Sequence, residues 1–172
     1  MSSNPRDAES RVMGRLERIW LKRARRGPMD AVDAADVEAG RGIVGNLHYG
    51  GRRQVTIVDA DEWERRVGSL GAALDPSARR GNLLIRGLDL ADSLGRTLAV
   101  GGCRIRIGGE TKPCERMDEA LPGLREALYQ RWGGGAWGGI VEGGRIAVGD
   151  RAEWIDASEE GIAGNSLKEV RR

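Results

Sequence analysis

The chain has 172 residues, of which 28 are basic and 26 acidic, giving a net charge of +2. So even a balance gives little overall attraction for nucleic acid, and the length suits one domain that buries its core without disulfides or structural metals. Residues 1–10 lack the apolar run of a signal peptide and nowhere do about 18 apolar residues run together, so the expectation is a cytoplasmic protein without a membrane span.

Twenty-seven glycines against five prolines put glycine at about twice its usual share near 7%, a pattern of tight turns rather than of a disordered Pro/Gly-rich chain. With no Phe and only two Tyr, the core must rest on Val, Ile, Leu and Ala, with β-branched residues concentrated in short runs such as Gln54 to Val58, as strands require.

Residues 12–22 are ambiguous: Val12, Leu16, Ile19 and Trp20 fit a helical stripe, while Leu16 to Leu21 fits a strand equally well. After the basic run Lys22 to Arg26, Gly27-Pro28 marks a turn, and Val32 to Val37 is a weak strand before the glycine-punctuated loop Gly40 to Gly51. Arg53 to Val58 reads as a strand feeding a helix capped by Asp59, with Trp63, Val67 and Leu70 on one face. Short strands are predicted at Asn82 to Ile85, Thr97 to Val100 and Cys103 to Ile107. Pro113 suits the first turn of a helix that carries Glu115, Asp118 and Glu119 near its start and breaks near Pro122-Gly123. Gly139 to Glu142, Ile146 to Val148 and Arg151 to Ile155 then read as a closing β-meander with turns at Gly143-Gly144 and Gly149-Asp150. Many short strands without regular strand–helix alternation favour a mostly antiparallel β-barrel with a few short helices.

Two cysteines, Cys103 and Cys114, are expected as free thiols in a reducing compartment. Cys103 falls at an inward position of a predicted strand and reads as core. No Cys/His cluster has zinc spacing, no Ser-His-Asp trio is suggested beyond the single histidine, and no Walker or dinucleotide glycine pattern opens a helix, which sets those enzyme classes aside. The sequence also lacks the aromatic stacking surface of an RNA-binding sheet.

Four segments, in order and spacing, resemble the MOSC family, the domain found at the C-terminus of molybdenum-cofactor sulfurases. They are Gly42 to His48 with Arg53-Gln54-Val55, Arg79 to Leu83 continuing as Gly87 to Leu90, Gly108 to Met117 with its Pro113-Cys114 pair, and Gly143 to Asp150. The resemblance spans roughly residues 12 to 156, leaving residues 1–11 as a polar extension and 157–172 as a peripheral tail. One departure stands out: Gly45-Asn46 occupies the place of a Gly-Asp pair, so a neutral amide replaces a carboxylate.

The resemblance implies a MOSC-type β-barrel whose reactive cysteine, Cys114, either ligates molybdenum in a pterin cofactor or carries sulfur as a persulfide. For either use the thiolate is the working form. A helix N-terminus contributes roughly 0.3–1 kcal/mol towards an anion, too little to bring an ordinary thiol near 8.5 below 7, so cations are needed as well. Lys112 and Arg116 flank Cys114, and Arg53, Arg79 and Arg80 hold family-matching positions that a barrel can bring to one cleft; such arginine forks also suit a molybdopterin phosphate. Asn82 matches the family's Arg-x-Asn-type stretch, where an amide either binds ligand or caps the strand entry. His48, in the glycine-rich loop, either meets a ligand phosphate or moves a proton, or merely stabilises its loop.

Three functions stay open at this point. In the first the domain is a molybdenum-cofactor oxidoreductase, with reduction of N-hydroxylated compounds as in some relatives and a reductase as electron donor. In the second it is a sulfurtransferase, taking sulfur from a cysteine desulfurase onto Cys114; pyridoxal phosphate belongs to that partner and is not expected within this chain. In the third it is a non-catalytic module that binds an anionic ligand or another protein.

Overall fold

The computed structural model describes residues 13–155. Val12, the extension over residues 1–11 and the tail over 157–172 lie outside the described residues. The ambiguous opening segment is a strand, β1 (Gly14–Lys22). Its helix-like spacing has a physical origin: the pairing with β6 slips between Leu16 and Arg18, so Glu17 is an extra residue and Leu16 and Ile19, three apart, enter the same core.

From β1 the chain turns into β2 (Met29–Val32) and β3 (Ala34–Glu38), so the single strand expected at Val32 to Val37 is two strands broken at Asp33. A two-residue β4 (Gly42–Ile43) follows. Next comes β5 (Val55–Asp59), which feeds α1 (Ala60–Ser69) through Asp59; its carboxylate accepts the Glu62 N–H at 3.0 Å as expected of a cap. Ala60, Trp63 and Val67 form the buried face of α1, while Leu70 falls at the C-cap and is largely exposed. A 3₁₀ turn (Pro76–Arg79) leads into β6 (Leu83–Arg86), and β7 (Thr97–Val100) and β8 (Cys103–Glu110) form a hairpin. Two six-residue helices, α2 (Glu115–Ala120) and α3 (Leu124–Tyr129), flank the expected break. Pro113 lies outside α2, one residue before its N-cap Cys114. The described residues end in β9 (Ala136–Glu142), β10 (Gly144–Ala147) and β11 (Arg151–Ile155).

Seven strands close into a barrel in the order β11, β7, β8, β9, β5, β6, β1, with β1 returning to β11 and β2 flanking β1. All its pairings are antiparallel except β5 with β6, whose crossover carries α1 and the 3₁₀ turn. The expected closing meander does not form. Its middle strand, β10, leaves the barrel to pair with β3, and β4 completes that three-stranded sheet.

Alternation along β5 and β6 divides the apolar residues between two cores. Ile57, Leu83 and Ile85 point into the barrel and join Leu16, Leu98, Ile105 and Ile140. Val58 and Leu84, on the opposite face, pack beneath Trp20, Trp63, Met117, Leu124 and Leu128, which seat the three helices against the barrel wall. The second core fixes the 3₁₀ turn and α2 beside the ends of β1 and β5, where a cavity opens.

Candidate functional site

The cavity, of about 460 Å³, is lined by Lys22 at the end of β1, His48 and Arg53 of the long loop, Arg79 and Arg80 of the 3₁₀ turn, Thr111 and Cys114 after β8, and Arg116 of α2. Five permanent or near-permanent cations and one imidazole therefore face one space, and no carboxylate lines it among the described residues. Like charges gathered without counter-ions define a place where an anion is favoured.

Two of the cations are held by specific contacts. Arg79 is deeply set: its Nε donates to the Gly134 carbonyl at 2.8 Å and its Nη2 to the Thr111 carbonyl at 3.0 Å. Burial lowers its pKa from the ordinary guanidinium value, and the Cys114 sulfur beside it acts in the opposite direction. Gly134 must be glycine, because any Cβ there would run into the Thr111 carbonyl and press on Arg79 and Pro113. Arg53 lies over the Trp137 ring at 5.3 Å, and that indole lies flat on Gly108 and Gly109, where a side chain would collide with it.

Arg80 is the unusual member. It sits in the left-handed region at φ 65°, a conformation that costs a non-glycine residue of order 1 kcal/mol. Its Nε and Nη2 are buried and have no hydrogen-bond partner among the described residues, and the same holds for Thr111 Oγ1. Buried donors are normally satisfied. Unpaired ones at a cavity wall are suited to the acceptor oxygens of a ligand.

Crowding disfavours the charged forms of two of these groups. Burial, then Arg80, Arg116 and Arg25, lower the pKa of Lys22, while burial and Lys22 lower that of His48. Cys114 is exposed at the N-cap of α2, where its side chain makes no capping bond. Cys103 is 1% exposed in the barrel core, and burial pushes its thiol up to about 12.

Of the site residues read from sequence, Cys114, His48, Arg53, Arg79, Arg80 and Arg116 come together at this cavity, while two are placed elsewhere. Asn82 is buried behind the wall: its Oδ1 accepts from the Thr56 N–H and hydroxyl, and its Nδ2 donates to the Trp20 carbonyl and to Asn46 Oδ1. With both ends occupied, it ties β1, β5 and the loop together. Lys112 is paired with Glu110 at 3.2 Å and lies over the Tyr129 ring at 4.1 Å. Lys22 was not expected; it opens the basic run before the Gly27-Pro28 turn, and only its place as the last residue of β1 sets it apart.

Asn46, the departure from Gly-Asp, is buried, and its Oδ1 accepts from the Lys22 N–H at 2.9 Å and from Asn82 Nδ2 at 3.1 Å. One amide oxygen suffices for both bonds, and it places no negative charge beside Lys22.

Fold and site together define a small closed β-barrel domain with an exposed thiol at the mouth of a cation-lined cavity. The MOSC domain family matches residues 44–153, and the chain belongs to that family. Among solved structures it is similar to the YuaD protein from Bacillus subtilis, with a TM-score of 0.70 and 21% identity over 81% of this chain and 94% of that one. YiiM from Geobacillus stearothermophilus is similar at a TM-score of 0.67 and 16% identity, covering 83% of this chain and 75% of that one. For YiiM from Escherichia coli the TM-score is 0.60 at 16% identity, over 83% and 70% of the two chains. These likenesses are of fold. A search of curated proteins returns no match. Among the described residues no helix is long and apolar enough to cross a membrane, and no group of three or more His, Cys, Asp or Glu side chains is placed to hold a metal ion.

Proposed function

We propose that this MOSC domain is a molybdenum-cofactor oxidoreductase that binds a molybdenum–pterin group in the cation-lined cavity, with the Cys114 sulfur as the protein's ligand to the metal. The observation that carries this reading is the pair of buried Arg80 nitrogens, Nε and Nη2, without a partner among the described residues, in a cavity that no described carboxylate lines. Carrying sulfur on a thiol needs no such anion cradle; holding a phosphorylated pterin does. The donor set also fits. Cys114 belongs to no group of three or more His, Cys, Asp or Glu side chains among the described residues, so a metal there would need to bring most of its ligands with it, as pterin-bound molybdenum does.

In this reading Arg80, Arg116 and Thr111 take the phosphate oxygens, and Arg53, braced on Trp137, closes the other side. Arg79 supplies the positive charge beside the Cys114 sulfur, and its two carbonyl bonds keep it there. His48, its pKa lowered by burial and by Lys22, lines the cavity as an imidazole that hydrogen-bonds the ligand or accepts a proton from it. When bound, the cofactor supplies two-electron chemistry, with N-hydroxylated compounds as the substrate class and a reductase as the electron source. The competing reading makes Cys114 a persulfide carrier served by a cysteine desulfurase.

The test is the molybdenum and pterin content of the protein from a host that makes the cofactor, with Cys114→Ser and Arg80→Ala compared. Near-stoichiometric metal, lost in Cys114→Ser and reduced with the pterin in Arg80→Ala, supports the proposal. No metal in any form, with sulfane sulfur appearing on Cys114 after incubation with a desulfurase and cysteine, would replace it with the carrier.

A further inference from the structure

The loop that brings His48 to the cavity holds apolar side chains out at the surface beside it: Val44 is 43% and Leu47 42% exposed. That loop is seamed to the turn after β1, where the Leu47 N–H donates to the Lys22 carbonyl at 2.6 Å and Gly45 lies beside the Arg23 guanidinium. On this loop and turn five exposed arginines, Arg25, Arg26, Arg41, Arg52 and Arg53, form no ion pair among the described residues. Arg25 is close enough to Lys22 to help lower its pKa. Arg52 and Arg53 lie over the Trp137 ring at 5.4 and 5.3 Å, and Arg41 over Tyr49 at 6.0 Å. Stacking uses the flat face of a guanidinium and leaves its N–H edge for a partner's carboxylates. Glu115 and Glu119 border the arginines only on the α2 side, in the groove that Arg26 and Arg116 line. On the α1 face, by contrast, Arg65, Arg66 and Arg86 are each bridged to carboxylates of this chain.

We infer that this rim is a docking surface for an acidic electron-carrying protein, whose carboxylates pair with the unbridged arginines while Val44 and Leu47 pack against its apolar centre. This rests on the oxidoreductase reading, which requires electrons to be delivered at the cavity mouth, where Cys114 is exposed. Apolar side chains with charge gathered around them have the make-up of a transient protein interface, and the charge selects a partner of opposite sign. A nucleic-acid backbone would use the arginines and leave the two aliphatic side chains idle. An anionic bilayer would use both but seal the mouth against a soluble donor.

Calorimetric titration of the full chain with flavodoxin, a small acidic flavin protein, and with cytochrome c, a small basic electron carrier, tests the inference, the molybdenum content being measured on the same samples. Flavodoxin should bind and cytochrome c should not, and flavodoxin binding should weaken about tenfold between roughly 0.02 and 0.2 M salt. Arg52→Glu and Leu47→Asp, both exposed changes outside the cavity lining, should each weaken it about tenfold. Arg151→Glu makes the same change of charge beside Arg15, at the opposite end of β1 from Lys22, and should alter binding less than about twofold. Absence of flavodoxin binding, equal weakening by Arg151→Glu, or equally tight binding of a DNA duplex or of phosphatidylserine vesicles with the same response to the variants, would overturn the docking surface. Failure of the oxidoreductase reading looks different: the chain then holds no molybdenum, whatever flavodoxin does.

Discussion

Asp59 joins β5 to α1, and replacing it with asparagine isolates the effect of its charge. The residue is 6% exposed, and its Oδ1 caps the helix by accepting the Glu62 N–H. Burial, with the Asp61 and Asp89 carboxylates adding to it, pushes its carboxyl from 3.8 up to about 7. The folded chain therefore holds a proton that the unfolded chain has released, and stability falls as pH rises from about 4 to about 7, then levels off. Between pH 5 and pH 8 the shift covers about two pKa units, or ~2.7 kcal/mol at 1.36 kcal/mol each. The asparagine side chain of the Asp59→Asn variant keeps an oxygen for the cap and has no proton to lose. In urea titrations the stability of Asp59→Asn relative to the original chain should thus rise by ~2–3 kcal/mol from pH 5 to pH 8. Parallel stabilities at the two pH values would refute the reasoning, because they would mean that the carboxylate ionises in the folded protein at no cost.

Two further outcomes are expected. Iodoacetamide under native conditions should modify Cys114 and leave Cys103 untouched until the chain unfolds, since one thiol is exposed and the other is enclosed in the barrel; mass spectrometry showing both modified at similar rates would contradict that burial. His48 is the sole histidine in the chain, so its imidazole protons report its titration in an NMR spectrum without overlap. Sulfate in the cavity should raise its pKa by offsetting Lys22, which makes binding tighter at lower pH; an unchanged titration with sulfate bound would place the anion elsewhere.

Much of the barrel is legible in the sequence because its strands are bounded by turn residues: Thr97 to Val100 and Arg151 to Ile155 have the expected bounds, and the Asp59 cap is where the pattern puts it. The exceptions have non-local causes. Gly143-Gly144 reads as a hairpin turn, yet β10 pairs with β3, more than a hundred residues earlier, and Gly144 is packed so closely on the Gly102 carbonyl that a side chain would clash. The bulge at Glu17 imitates helical spacing, which no count of periodicity can separate from a helix. In the site, adjacency misled for Lys112, two residues from Cys114 but turned to Tyr129, while Lys22, ninety-two residues from Cys114, lines the same cavity. What sequence could not supply was the partner of each polar group: Asn82 fits a ligand-binding amide or a structural cap until its bonds to Thr56, Trp20 and Asn46 are seen.

The barrel is closed where β1 meets β11, through Gly14 with Ala152 and Arg15 with Arg151. On a ribosome this seam is made late, since β11 is the last of the described strands to be synthesised, so β1 waits for nearly all of the barrel with that edge unpaired. It also places Met13 and Ile155 at the two ends of adjoining strands. A linker between them, with new ends opened in an exposed turn such as Gly71, would give a permuted chain whose seam is covalent, folding to the same cavity by a different order of events.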